Sequence, residues 1–167
     1  IRLFDKELGG GSLFDIGVYP LFLSYLLLGY PKEISAKAIK HKNDIDLQTS
    51  MILEYETAQS VLHASIVSES DMKAVIAGTK GRIELNAPWF VADGYSLFKN
   101  EEKEATFTLP TLGKGYSHEI IECQNCILNN LGIHKTYDLF LNTILRQQLQ
   151  DCLHKLLLHY NPFHQSL

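Results

Sequence analysis

From Glu33 to Leu109 apolar and polar side chains exchange places along most of the chain, and this alternation constrains the fold more than any other feature. A period of two sends successive side chains to opposite faces of a strand, which excludes a helical bundle for this stretch. A first strand opens at Glu33, with Ile34, Ala36 and Ala38 set against Ser35 and Lys37, ahead of the mixed positions Ile39 and His41. Beyond the turn Asn43-Asp44, Leu47, Thr49, Met51, Leu53 and Tyr55 alternate with Gln48, Ser50, Ile52 and Glu54 in a second. Residues 56–59 read as a hairpin loop, and residues 61–67 return as a third strand, apolar on both sides, which implies a sheet covered on both faces. Residues 73–77 and 82–85 pair across Gly78-Thr79-Lys80-Gly81, and residues 95–99 and 105–109 pair across residues 100–103. The sum is a largely antiparallel open sheet of six or seven strands.

Helices flank this sheet. The apolar run over residues 13–28 predicts one, stopped by Gly29-Tyr30-Pro31 and interrupted by Pro20, which removes a backbone donor and is expected to bend the helix near Tyr19. Ser117 is positioned to cap a second, running to about Asn129 with Ile120, Ile121, Gln124, Ile127 and Leu128 as its stripe. Residues 138–160 predict a long third. The expected class is α+β, one domain of 167 residues with helices on one face of the sheet and the other face available for dimerisation.

Chemistry concentrates at Gly9-Gly10-Gly11-Ser12-Leu13-Phe14-Asp15-Ile16-Gly17-Val18-Tyr19-Pro20, ahead of the sheet. The glycines allow close backbone approach, and Ser12 is the expected N-cap of the helix that follows. Asp15 and Tyr19 stand four residues apart, which on a helix puts their Cβ atoms roughly 6 Å apart on one face. A phenol beside a carboxylate can exchange a proton with a substrate hydroxyl or carbonyl. A bland reading is equally consistent with the spacing: the macrodipole favours an aspartate in a first turn, and a helical tyrosine commonly edges a core. Gly78-Thr79-Lys80-Gly81 is no phosphate loop, because a strand and not a helix follows its lysine.

The stretch Arg2-Leu3-Phe4-Asp5 followed by Leu8 to Pro20 resembles the opening of the C-terminal domain in the glucose-fructose oxidoreductase, inositol dehydrogenase and rhizopine-catabolism (Gfo/Idh/MocA) family, and within it the dihydrodiol dehydrogenase-like branch. The resemblance continues through Ile52-Leu53-Glu54-Tyr55, Ala77 to Leu85, Gly115-Tyr116 and Cys126-Ile127-Leu128, covering most of residues 2–130 and fading from Leu131 onward. It implies that Asp15 and Tyr19 line a substrate site beside a nicotinamide ring, with Tyr19, or the lysine of the family's Glu-Lys-Pro motif, exchanging the proton and Asp15 orienting the substrate. It also makes Tyr116 a further candidate, whose alternative role is a staple packed on the sheet. The implied cofactor is NAD or NADP, and the implied substrate a small molecule whose hydroxyl or carbonyl belongs to a sugar, polyol or dihydrodiol. No G-x-G-x-x-G turn is present, since Phe14 stands at the third glycine position, and the family's Glu-Lys-Pro motif is missing. Residues 1–167 are therefore expected to be the substrate-binding and oligomerisation domain of an oxidoreductase whose N-terminal dinucleotide-binding domain is absent from this chain, inactive by itself. The alternatives are a homodimerisation module working through the face bearing Leu47, Met51 and Leu53, or its opposite, and a stand-alone binder of small polyols.

A formal charge of -4 gives no basic footprint for nucleic acid and little attraction to an acidic membrane. The apolar run at 13–28 falls short of the roughly 20 residues that span a bilayer, and the charged residues Arg2, Asp5, Lys6 and Glu7 ahead of it do not read as a secretory leader. Three cysteines suit a reducing cytoplasm, and Cys123 and Cys126 form a CxxC on a helix without the second pair that zinc needs. His154, His159 and His164 recur every five residues, which does not align ligands on one helical face, and His41, His63, His118 and His134 stand alone. No metal is expected.

Overall fold

The computed structural model describes residues 2–108 and 116–131, in two compact units divided after Ser70. In the first unit the alternation becomes three antiparallel strands, β1 (Glu33–Lys40), β2 (Asp46–Glu54) and β3 (Gln59–Ser65), in the order β1-β2-β3. Register aligns Ala36, Met51 and Leu62 across the sheet, and likewise Ala38, Thr49 and Ala64. Thr49, Met51, Leu53 and Ala64 are buried on that face, against the helical segment that precedes the sheet. The opposite face is open, with Val61 75% and Ile52 40% exposed, and β1 is exposed along its whole length. The sheet is thus covered on one side and not on both. Met51 and Leu53 are buried beneath the preceding helical segment, whereas Ile34, Ala36 and Ala38 beside them on β1 stay exposed.

Helical residues begin at Leu13 and end at Leu28, as the apolar run predicts, but not as one α-helix. Leu13–Gly17 is wound as a π-helix and only Val18–Leu28, here α1, is α-helical. Pro20 has no N–H for the carbonyl four residues back, so an α-ladder cannot run unbroken into this point; single π turns are a common accommodation. At the far end Gly29 takes a φ of 78° and donates its N–H to the Tyr25 carbonyl at 2.8 Å, closing the helix ahead of Pro31. The Ser24 hydroxyl, buried on α1, lies 2.8 Å from the Tyr55 hydroxyl and 2.6 Å from the Ser60 hydroxyl, which ties the helix to the β2–β3 hairpin.

Strand β3 stops two residues earlier than its apolar run suggests. Ile66 still donates its N–H to the Leu47 carbonyl at 2.9 Å, but the Ser65 hydroxyl accepts the N–H groups of Val67 and Ser68 at 3.2 and 3.0 Å, and the Ser68 amide is the next donor that a continuing β2–β3 ladder would need. No strand forms again until Ala74. Among the described residues the expected six or seven strands are present as seven, but they hydrogen-bond as a three-stranded and a four-stranded antiparallel sheet.

The second unit contains β4 (Ala74–Gly78), β5 (Gly81–Leu85), β6 (Gly94–Lys99), β7 (Glu102–Thr108) and α2 (Tyr116–Leu128), with the strands in sequence order. Thr79 and Lys80 alone connect the paired Gly78 and Gly81. Asn100 and Glu101, both at left-handed φ, make the β6–β7 turn tighter than the four-residue loop the sequence suggested. Ile83, Leu85 and Tyr95 are buried, and the Tyr95 ring stacks on Phe107 at 4.6 Å between centroids.

Helix α2 already includes Tyr116 and Ser117, so Ser117 lies in its first turn and not before it. Its buried positions are Glu122 and Cys126, whose thiol contacts the Glu122 carboxylate at 3.5 Å, whereas the predicted stripe residues Ile120, Ile127 and Leu128 are 56%, 76% and 81% exposed. Cys123 is exposed, and both described cysteines are free thiols. The expected helix at 138–160, Cys152, His134 and the His154, His159 and His164 series lie outside the described residues. Among the described residues no helix is long and apolar enough to cross a membrane.

Candidate functional site

The glycine triplet is where backbone meets backbone. Gly10 donates its N–H to the Asp5 carbonyl at 2.8 Å and Gly11 to the Leu3 carbonyl at 3.0 Å, folding the N-terminal turn Arg2–Phe4 back over the triplet. A Cβ on Gly10 would lie 2.6–2.7 Å from the carbonyl oxygens of Leu3, Arg2 and Asp5. Gly11 has a φ of 116° and packs against the Asp46 carboxylate. The β1–β2 turn holds the same loop from outside: the Asn43 amide donates to the Phe4 carbonyl at 2.7 Å, and Lys6 pairs with Asp44 at 3.2 Å.

This environment does not suit a pyrophosphate. The amides of Gly10 and Gly11 are already donated to carbonyls, and an anionic carboxylate stands beside Gly11, whereas a dinucleotide cradle presents free N–H groups at a helix start.

Ser12 is fully buried, but it makes no side-chain cap bond to the helix. Its hydroxyl instead donates to Asp46 Oδ2 at 2.6 Å, and that same oxygen accepts the Leu13 N–H and the Thr49 hydroxyl, each at 2.7 Å. The cap expected from Ser12 is therefore supplied by a carboxylate from strand β2. Burial pushes the Asp46 carboxyl up, but the donors Ser12, Thr49 and the Leu13 amide together outweigh it and hold the group below its ordinary value.

Because its folded value is depressed, the stability Asp46 contributes is present above the unfolded carboxylate value and is lost as the pH falls through the folded one. Wild-type protein is expected to lose stability on acidification below about pH 5, and Asp46→Asn to be less stable at neutral pH with a shallower acid loss. Asp44, lowered by its bonds to Lys40 and Lys6, contributes equally to both proteins. Urea midpoints across the acid range measure the difference, and parallel wild-type and variant curves would contradict an ionised cap.

Downstream of the cap, Asp15 sits in the π-helical turn and Tyr19 at the start of α1. Asp15 forms an ion pair with Arg2, its side chain 24% exposed against 58% for Arg2. Tyr19 is half exposed. The two predicted groups thus occupy one continuous helical segment, with an arginine at the aspartate. Tyr116 lies in the first turn of α2, in the other unit, and its side chain is outside the described residues. Sequence reasoning missed the roles of Arg2 and Asp46. A lone arginine thirteen residues before an aspartate has no helical or strand period to reveal it, and Asp46 reads as one more acidic residue at a turn. Among the described residues no group of three or more histidine, cysteine or acidic side chains could hold a metal ion.

Residues 2–84 match the model of the GFO/IDH/MocA C-terminal domain. Trans-1,2-dihydrobenzene-1,2-diol dehydrogenase of Xenopus laevis is 33% identical over 141 residues, which cover 78% of this chain and 42% of that protein. The scyllo-inositol 2-dehydrogenase (NADP(+)) IolU of Bacillus subtilis is 35% identical over 86 residues, covering 52% of this chain and 26% of that one. This chain spans less than half the length of either relative. Among solved structures, a mutant of KijD10, a 3-ketoreductase from Actinomadura kijaniata in complex with TDP-benzene and NADP, aligns with a TM-score of 0.68 at 18% identity, over 90% of this chain and 48% of that one. At that identity the likeness is one of fold. With its glycine-rich opening, its sheet and these relatives in agreement, the chain belongs to the Gfo/Idh/MocA family, whose C-terminal domain it matches.

Proposed function

We propose that this chain is the substrate-orienting half of an NAD(P)-dependent oxidoreductase acting on a hydroxyl or carbonyl of a sugar, polyol or dihydrodiol-like compound. The observation that carries the reading is the single helical segment bearing Asp15 and Tyr19, fastened to the sheet through Asp46 and paired through Asp15 with Arg2. A carboxylate in that position accepts a hydrogen bond from a substrate hydroxyl and so fixes which carbon faces the hydride acceptor. A half-exposed phenol exchanges the proton on the reacting oxygen. The dinucleotide belongs to other parts of the longer polypeptide, since the glycine triplet here is filled by acceptors. The named activities of two relatives, a trans-1,2-dihydrobenzene-1,2-diol dehydrogenase and a scyllo-inositol 2-dehydrogenase, support this substrate class.

The test is nicotinamide absorbance in the full-length polypeptide that carries this chain, with scyllo-inositol, trans-1,2-dihydrobenzene-1,2-diol and a panel of sugars offered with NAD and NADP. At least one is expected to be oxidised, and Asp15→Asn to raise its KM about tenfold or more, the loss of a charged hydrogen bond. A polypeptide that turns over none of them, or an Asp15→Asn variant with unchanged kinetics, would overturn the assignment.

A further inference from the structure

Resting on that reading, we propose that Asp46 is a positioning residue for the reaction: by gathering Ser12, Leu13 and Thr49 on one carboxylate oxygen, it sets where the turn bearing Asp15 and Tyr19 stands above the sheet. The argument begins with the arrangement of donors. Thr49 belongs to the same strand as Asp46 and is buried, so its bond to Oδ2 at 2.7 Å fixes that oxygen relative to the sheet. Ser12 and Leu13, more than thirty residues away in sequence, then reach the same oxygen from the helix side at 2.6 and 2.7 Å. One bond comes from a side chain and the other from the main chain. Together they restrain both the position of the first helical turn and its rotation.

The reacting groups follow immediately. Asp15 lies two residues beyond the bonded Leu13 amide and Tyr19 six, so a rotation of this turn carries both. A misplacement of about 1 Å can cost on the order of a hundredfold in rate even when the displaced groups are chemically intact. Chemistry also distinguishes aspartate from asparagine here. An amide oxygen carries no net charge and so holds three converging donors more weakly than a carboxylate oxygen, and its NH2 would face Gly11 or a donor. Asp46→Asn keeps the shape and loosens the restraint.

Two measurements separate positioning from mere stabilisation. In the first, the full-length polypeptide is labelled with fluorotyrosine and the Tyr19 resonance is assigned by its loss in Tyr19→Phe. Asp46→Asn, and Thr49→Val as the milder variant in case the first folds poorly, are expected to move or split that resonance in the folded state. A Tyr19 resonance unchanged in the folded variants overturns the proposal. The second measurement is a double-mutant cycle in kcat with scyllo-inositol and trans-1,2-dihydrobenzene-1,2-diol. Asp46→Asn is expected to lower kcat per folded site about tenfold and, because Asp15 rides on the same turn, to raise KM as well; its cost in kcat is expected to shrink in the Tyr19→Phe background. If Asp46→Asn costs the same in both backgrounds, it acts on the fold alone and the positioning role is wrong, while the functional reading stands. If Tyr19→Phe retains wild-type turnover, the functional reading fails and the positioning role with it. Should neither compound be turned over, the resonance alone decides.

Discussion

Tyr19→Phe in the full-length polypeptide is expected to lower turnover by about 10²–10⁴-fold, the range for removing a positioned acid or base. The substitution deletes one oxygen and leaves the half-exposed ring in place. Any loss of stability should stay within about 1.5 kcal/mol, the net worth of one hydrogen bond. Stopped-flow nicotinamide absorbance reads the chemical step, and a thermal melt verifies that the fold is intact. A variant with full turnover would make Tyr19 a packing residue, and the proton would have to leave the substrate through another group.

Gly10→Ala is expected to cost the first unit a large part of its stability. The new Cβ would lie 2.6–2.7 Å from three carbonyl oxygens, all backbone, in the turn that Gly10 and Gly11 themselves hold by donating their N–H groups. A flexible side chain could swing aside, but these carbonyls move only if the Arg2–Phe4 turn lifts away. Overpacking of this kind typically costs about 1–3 kcal/mol and occasionally more; with backbone on every side the upper end is expected. For a unit of this size that lowers the midpoint by roughly 10 °C or more. Lifting the turn also carries Arg2 away from Asp15, so the substrate KM should rise along with the loss of stability. Calorimetry of Gly10→Ala beside Gly9→Ala, where a Cβ meets nothing within 4 Å, separates the steric effect from backbone strain at Gly9. Equal losses in the two variants would contradict the steric account.

Much of the architecture was legible because it is local. The helical limits at Leu13 and Leu28, the stop at Gly29 and the turns at Asn43-Asp44 and at Gly78 to Gly81 follow from neighbouring residues alone. Errors arose where one side chain's bonding overrode the periodic pattern. Ser12 looks like a cap in sequence, yet its hydroxyl turns toward Asp46, because a carboxylate on β2 takes the Leu13 amide. Apolar spacing in α2 points to Ile120, Ile127 and Leu128, but the buried face runs through Glu122 and Cys126, where an acidic side chain and a thiol contact one another. Residues 61–67 read as one strand until the Ser65 hydroxyl takes the Ser68 amide, the next donor of the ladder.

The sequence by itself determined which segments are helical or extended, and it placed Asp15 and Tyr19 on one helical segment, because period and spacing are written in consecutive residues. Tertiary structure alone decided that Asp46 fastens this segment to the sheet, that Arg2 stands at Asp15, and that seven strands divide into two sheets. Each depends on groups brought together by chain reversal or on a ladder ended by one hydroxyl. A carboxylate more than thirty residues from the amide it caps leaves no periodic trace, since only the folded backbone sets the distance between them.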